Sequence, residues 1–260
     1  MTARLENRSG SQLCSSLRRM RLRVWALAVI SISATLTLAA QVPAPAPAPQ
    51  SVPTAPIPAP PPQPPRFLVV LDAAHGGDDP GGRIGDQPEK DFTLALSVRL
   101  RSLLGARGIQ VITTRESDTN LDPNRRAEIA NHANAQACLS LHASETGSGI
   151  HLFASSLAPA ASNRFSAWKT AQAAWVTRSL ALAGVVNSVL LHADLPVSLG
   201  RTTLATIDSM TCPAIALEVS PTRGPGNAIT ADLDDPGYQA RVAEALAAAL
   251  LEWKTEVHQP

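Results

Sequence analysis

At 260 residues with 45% apolar content, the chain is long enough to bury one sizeable core or two small ones. Its 22 Lys and Arg against 21 Asp and Glu leave a net charge of +1, which excludes the broad cationic surface of a nucleic-acid binder.

In chain order, the first signal is basic. Arg18, Arg19, Arg21 and Arg23 precede an uncharged apolar stretch at 24–40, the arrangement of an export signal. The stretch is about as long as the shortest spanning helices, and it exits through the small-residue sites Thr37-Leu38-Ala39 and Leu38-Ala39-Ala40. Cleavage and retention as a membrane anchor both stay open, and either places the protein in the periplasm or cell envelope. Cys14 precedes the apolar stretch, whereas a lipid-anchored cysteine would follow it, so it is read as removed or cytoplasmic. Residues 42–65 are mostly Pro and Ala with no apolar period, the composition of an extended, semi-rigid spacer. The expected organisation is an export segment or anchor at 1–41, a linker at 42–65 and one folded domain at 66–260.

Past Arg66, short β-rich runs alternate with helical runs, which predicts an α/β domain with a central twisted, mostly parallel sheet flanked by helices on both faces. Residues 67–71 and 109–114 read as buried strands around a helix that ends at Gly108. Asp122-Pro123 supplies an N-cap and a first-turn proline for a helix to about Ala135. Strands are expected at 137–143 and 149–154, a helix at 161–183 and a buried strand at 212–219. The segment before that last strand receives no assignment. Asp235-Pro236 opens a final helix to about Trp253. Cys138 and Cys212, at predicted strand starts, are expected to pack as small apolar residues rather than to pair. No CxxC or Cys-His pair suggests a cysteine-ligated metal.

Two histidines stand at the carboxyl ends of predicted strands, where α/β proteins place ligands. His75 follows the first strand before two glycines, and His142 ends the strand at 137–143. Glu89 would open the helix after the His75 loop and return to the same edge, with Asp91 competing for the role. Glu218 lies within an apolar strand, where an unpaired carboxylate costs at least ~2 kcal/mol. Two imidazoles and a carboxylate form a His2Glu set typical of catalytic zinc, with a fourth position for water. Glu218 suits the proton acceptor beside it. His132, His151 and His192 are expected to be structural or solvated, Arg201 to form a salt bridge, and Glu116 and Glu145 to be solvated loop charges.

At these residues the chain resembles the zinc-dependent N-acetylmuramoyl-L-alanine amidases of type 3. The family pattern Asp-x-x-His-Gly-Gly-x-Asp-x-Gly is followed by Asp72 to Gly81, and a Glu-Lys pair opening a helix by Glu89-Lys90. Thr114-Arg115, Arg125 or Arg126 with Ala130-Asn131, Ser140 to Ala143 and Pro213 to Glu218 continue it in order. The resemblance implies zinc held by His75, Glu89 and His142, with Glu218 as the catalytic carboxylate. The implied substrate is peptidoglycan, cut between the lactyl group of N-acetylmuramic acid and L-alanine. A protein activator is compatible with the resemblance but unidentified. Two departures stand out: Ser144 where the family commonly has Asn or Asp, and Ser220 to Arg223 where it commonly has Gly-Phe-x-x-Asn. They motivate one alternative, a weak or inactive peptidoglycan-binding protein of this fold. A second is another periplasmic zinc amidohydrolase. The stretch at 155–174 is too short for a long autoinhibitory insertion.

Overall fold

A run of apolar residues covered on both faces favours a parallel strand, and Leu68–Ala73 (β1) is such a strand. In the computed structural model, which describes residues 66–161 and 167–258, β1 lies within a six-stranded sheet. The expected export segment at 1–41 and linker at 42–65 lie outside the described residues. A small hairpin of Arg83–Ile84 (β2) and Gln87–Pro88 (β3) leads into Glu89–Ala106 (α1). Then come Gln110–Thr113 (β4), Pro123–Ala133 (α2), Ala137–Ala143 (β5) and Ile150–Ser155 (β6). A 3-10 turn at Trp168–Ala174 precedes Val176–His192 (α3), Val197–Thr202 (β7) and the short Ala205–Asp208 (α4). The chain closes with Ala214–Val219 (β8), the short pair Thr222–Arg223 (β9) and Ile229–Ala231 (β10), and Pro236–His258 (α5).

The sheet order is β4-β1-β5-β8-β6-β7. The first four strands run parallel, β6 is antiparallel to β8, and β7 is parallel to β6. Alternation along each strand divides the interior. Leu139, Leu141, Ile215 and Leu217 join the larger core with α1, α3 and α5, whereas Cys138, Ala214 and Ala216 face α2 and α4. The predicted cap of α2 forms: the Asp122 carboxylate accepts from the Asn124 and Arg125 amides at 2.9 and 3.1 Å.

Two expectations need correction. Cys138 and Cys212 are buried as foreseen but form a disulfide, because strand pairing brings the start of β5 beside the entry to β8 and leaves their Cα atoms 6.2 Å apart. The helix expected at 161–183 is displaced. Gln172 is buried and donates its amide to the carbonyls of Ile207, Met210 and Cys212, which ties the 3-10 turn at 168–174 to α4 and the entry to β8. The apolar period then continues through Val185, Val186 and Leu190 and carries α3 to His192.

Candidate metal centre

The chain leaves β1 in a left-handed turn. His75 has φ 61°, an unusual value for a residue with a Cβ and one that concentrates at functional sites. At Gly76, φ 131°, a Cβ would fall 2.3 Å from the Thr119 carbonyl oxygen, so only glycine lets the turn close. Two arginines hold this turn from beneath. Arg126 pairs with buried Asp72 at 2.8 Å and donates to the carbonyls of Ala73, His75 and Leu121 at 2.6, 2.5 and 2.8 Å. Arg115 donates to the carbonyls of Ala73, Ala74 and Lys90 at 2.9, 3.0 and 2.7 Å. Asp72 also accepts from Thr114 and Ser140, both at 2.7 Å. Sequence reasoning quoted the arginines only as pattern matches; Arg126, not the exposed Arg125, is the one at the turn. The available signal was a Thr-Arg pair at the carboxyl edge of β4.

The turn aims His75 at Glu89, the first residue of α1. Glu89 Oε2 lies 3.2 Å from His75 Nε2, and Oε1 lies 3.2 Å from His142 Nδ1. The backbone amides of Gly82 and Ala143 donate to the same carboxylate at 2.9 and 3.1 Å. Burial pushes this carboxyl up, but hydrogen bonds from His142, His75 and these amides outweigh it and hold Glu89 well below the usual carboxylate range. The hydrogen bond to Glu89 raises the His75 imidazole above its ordinary value, burial opposes this, and Asp79 adds to it. Asp91, the competing carboxylate, is two residues on, about half a turn round the helix, and is exposed.

His75, Glu89 and His142 each offer a donor atom, all within 4.8 Å of one another. Two imidazoles and one carboxylate match the donor chemistry of a zinc site that keeps one position open. His75 Nδ1 contacts Asp79 Oδ2 at 2.8 Å, an outer partner of the kind that fixes a ligating ring's tautomer and leaves Nε2 facing the donors. The residues present therefore fit the metal.

Glu218 stands directly opposite His142 in the β5–β8 register. It is half-buried, and among the described residues its carboxylate has no hydrogen-bond or ion-pair partner. It borders a cleft of about 230 Å³ with His142, Phe153, Thr202, Leu204 and Ala216. The other weighed residues lie outside the triad. His132 and His192 contact their own helices at the Glu128 and Ser188 carbonyls, and His151 lies across β6 from Glu218. Among the described residues Arg201 makes no salt bridge and instead donates to the Ser155 and Leu157 carbonyls, because β7 lies against β6. Glu116 and Glu145 are exposed as expected, and each also has a partner: Glu116 pairs with Arg101, and Glu145 accepts from the Gly85 amide. Both contacts join residues distant in sequence.

Residues 69–252 match the family model described as N-acetylmuramoyl-L-alanine amidase. The germination-specific N-acetylmuramoyl-L-alanine amidase of Bacillus subtilis (strain 168) is 37% identical over 89 residues, 29% of this chain and 38% of that protein. N-acetylmuramoyl-L-alanine amidase AmiA of Escherichia coli (strain K12) is 42% identical over 78 residues, 29% of this chain and 27% of its own length. This chain thus spans well under half the length of either curated relative. The catalytic domain of CwlV, an N-acetylmuramoyl-L-alanine amidase from Bacillus (Paenibacillus) polymyxa var. colistinus, superposes with a TM-score of 0.57 at 26% identity. That match covers 73% of this chain and 98% of the solved domain.

Proposed function

The chain belongs to the N-acetylmuramoyl-L-alanine amidase family, and we infer that it hydrolyses the amide between the lactyl group of N-acetylmuramic acid and L-alanine in peptidoglycan. The observation that carries this reading is the placement of a carboxylate between two imidazoles, with a second, unpartnered carboxylate on the neighbouring strand. His75, Glu89 and His142 would hold zinc. When bound, zinc supplies Lewis acidity toward a carbonyl oxygen and acidifies water. Asp79 orients His75, and the Gly82 and Ala143 amides orient Glu89, so the donor set is arranged before any ligand arrives. Glu218 accepts a proton from the attacking water at its carboxylate and returns it to the leaving L-alanine nitrogen. Its carboxylate has no partner among the described residues and stays open to that exchange.

The departures from the family pattern are compatible with activity. Ser144 bonds within its own loop to Thr146, and Arg223 donates to the Glu145 and Gly147 carbonyls, so neither intrudes on the triad. Export through 18–40 and a spacer at 42–65 would bring the domain to the cell wall.

Glu218→Ala tests the reading. Zinc content should match the parent, while turnover of sacculi falls by at least about 10²-fold, the lower range for losing a general base. Mass analysis of the products should find free stem peptides beginning at L-alanine. Parent-level turnover in the variant, or release of any other fragment class, would refute the assignment.

A further inference from the structure

A rung of polar side chains crosses the sheet at the edge carrying the metal centre. His142 on β5 stands opposite Glu218 on β8, Glu218 opposite His151 on β6, and His151 opposite Ser198 on β7. All four lie at alternate positions to the larger core, so they share one face. In the antiparallel β6–β8 pair, directly opposite residues place their Cβ atoms about 4.5–5.5 Å apart. An imidazole and a carboxylate at that spacing meet through side-chain rotation alone.

The two imidazoles flanking Glu218 differ. His142 is committed to Glu89. His151 has Nδ1 in a 2.7 Å hydrogen bond with Ser198 Oγ, whereas its Nε2 is buried without a partner. A buried polar atom left in this way is destabilising and calls for a partner. The enclosure is built rather than incidental. Gly147 has φ 90°, and a Cβ there would fall 2.7 Å from His151 Nε2, so only glycine lets the β5–β6 loop close over the ring. That loop is tied down by Ser220 Oγ donating to the Thr146 carbonyl at 2.8 Å and by Arg223 donating to the Gly147 and Glu145 carbonyls at 2.9 and 3.0 Å. Two of the residues that depart from the family pattern, Ser220 and Arg223, thus fasten the loop that covers His151.

We propose that His151 is a positioning residue for Glu218: with Ser198 donating to Nδ1, the ring proton sits on Nε2 and donates to the Glu218 carboxylate when substrate engages. One carboxylate oxygen is then anchored and the other faces the water and the leaving amine. In this role His151 only donates a hydrogen bond. Catalytic hydrogen bonds are often long in the free enzyme and tighten in the complex, which agrees with an Nε2 that has no partner among the described residues. The inference rests on the reading of Glu218 as proton acceptor given above.

The test uses the full chain and a soluble muramoyl-peptide, with kcat, KM, zinc content and urea midpoint measured together. His151→Ala should lower kcat about 10–100-fold with KM, zinc and midpoint near the parent values. His151→Gln carries an amide N–H that reaches about as far as Nε2 and should regain most of that kcat. In a Glu218→Gln background, His151→Ala should cause no further loss. Parent-like kcat in His151→Ala, beside an impaired Glu218→Gln, overturns the positioning role alone. Lost zinc or a lowered midpoint accompanying the kcat loss in both His151 variants makes the residue structural and also overturns it. Parent-like turnover in Glu218→Gln removes the underlying reading and this inference with it.

Discussion

Replacing Arg126 by Met removes the cation of a buried pair while keeping the apolar stem. The partner Asp72 is 1% exposed and would be left charged in the interior. Breaking such a pair from one side costs about 3–5 kcal/mol. Two features set the position within that range. Thr114 and Ser140 still donate to Asp72, and Arg115 still donates to the Ala73 carbonyl, which favours the lower end. The His75 and Leu121 carbonyls lose their Arg126 donor, which adds back part of the penalty. A loss of about 4 kcal/mol follows, a large share of the 5–15 kcal/mol that holds a typical domain together. Urea unfolding of the full chain in chelator measures it free of metal linkage. Asp72→Leu combined with Arg126→Met eliminates the stranded charge and should recover about 2 kcal/mol of the loss. A loss under about 1 kcal/mol in the single variant, or a double variant no more stable than the single one, would refute the claim that the pair anchors the His75 turn.

Gly81→Ala should weaken zinc binding about 10–100-fold, because its Cβ would lie 2.6 Å from the His75 ring and 2.7 Å from Glu89 Oε2 at φ 67°; competition against a chromogenic chelator reads it, and unchanged affinity would contradict the placement. His142→Ala should lose zinc itself, checked by metal analysis of the purified protein. Converting Cys138 and Cys212 to Ala should cost about 4.5 kcal/mol by chain entropy, since the bridge closes a 74-residue separation; parent-like urea stability in the double variant would show that the bridge contributes nothing.

Local rules made much of the domain legible. The apolar runs of β1, β4, β5 and β8 and the Asp122 cap of α2 fall within a few residues of their expected places, because each depends on neighbours within one or two turns. The salt bridge expected of Arg201 does not form among the described residues, because the carbonyls it meets lie 44 and 46 residues away.

The chain by itself determined which residue types stand at the sheet's carboxyl edge: apolar runs end in His75, His142 and Glu218, and a helix begins at Glu89. Tertiary structure alone decided who meets whom. It joined Cys138 to Cys212, chose Arg126 over Arg125 as the anchor, and set His151 beside Glu218. The physical reason is register: hydrophobic patterning tells which face of a strand is buried, but strand order and direction, settled by packing of the whole sheet, determine which side chains stand opposite one another.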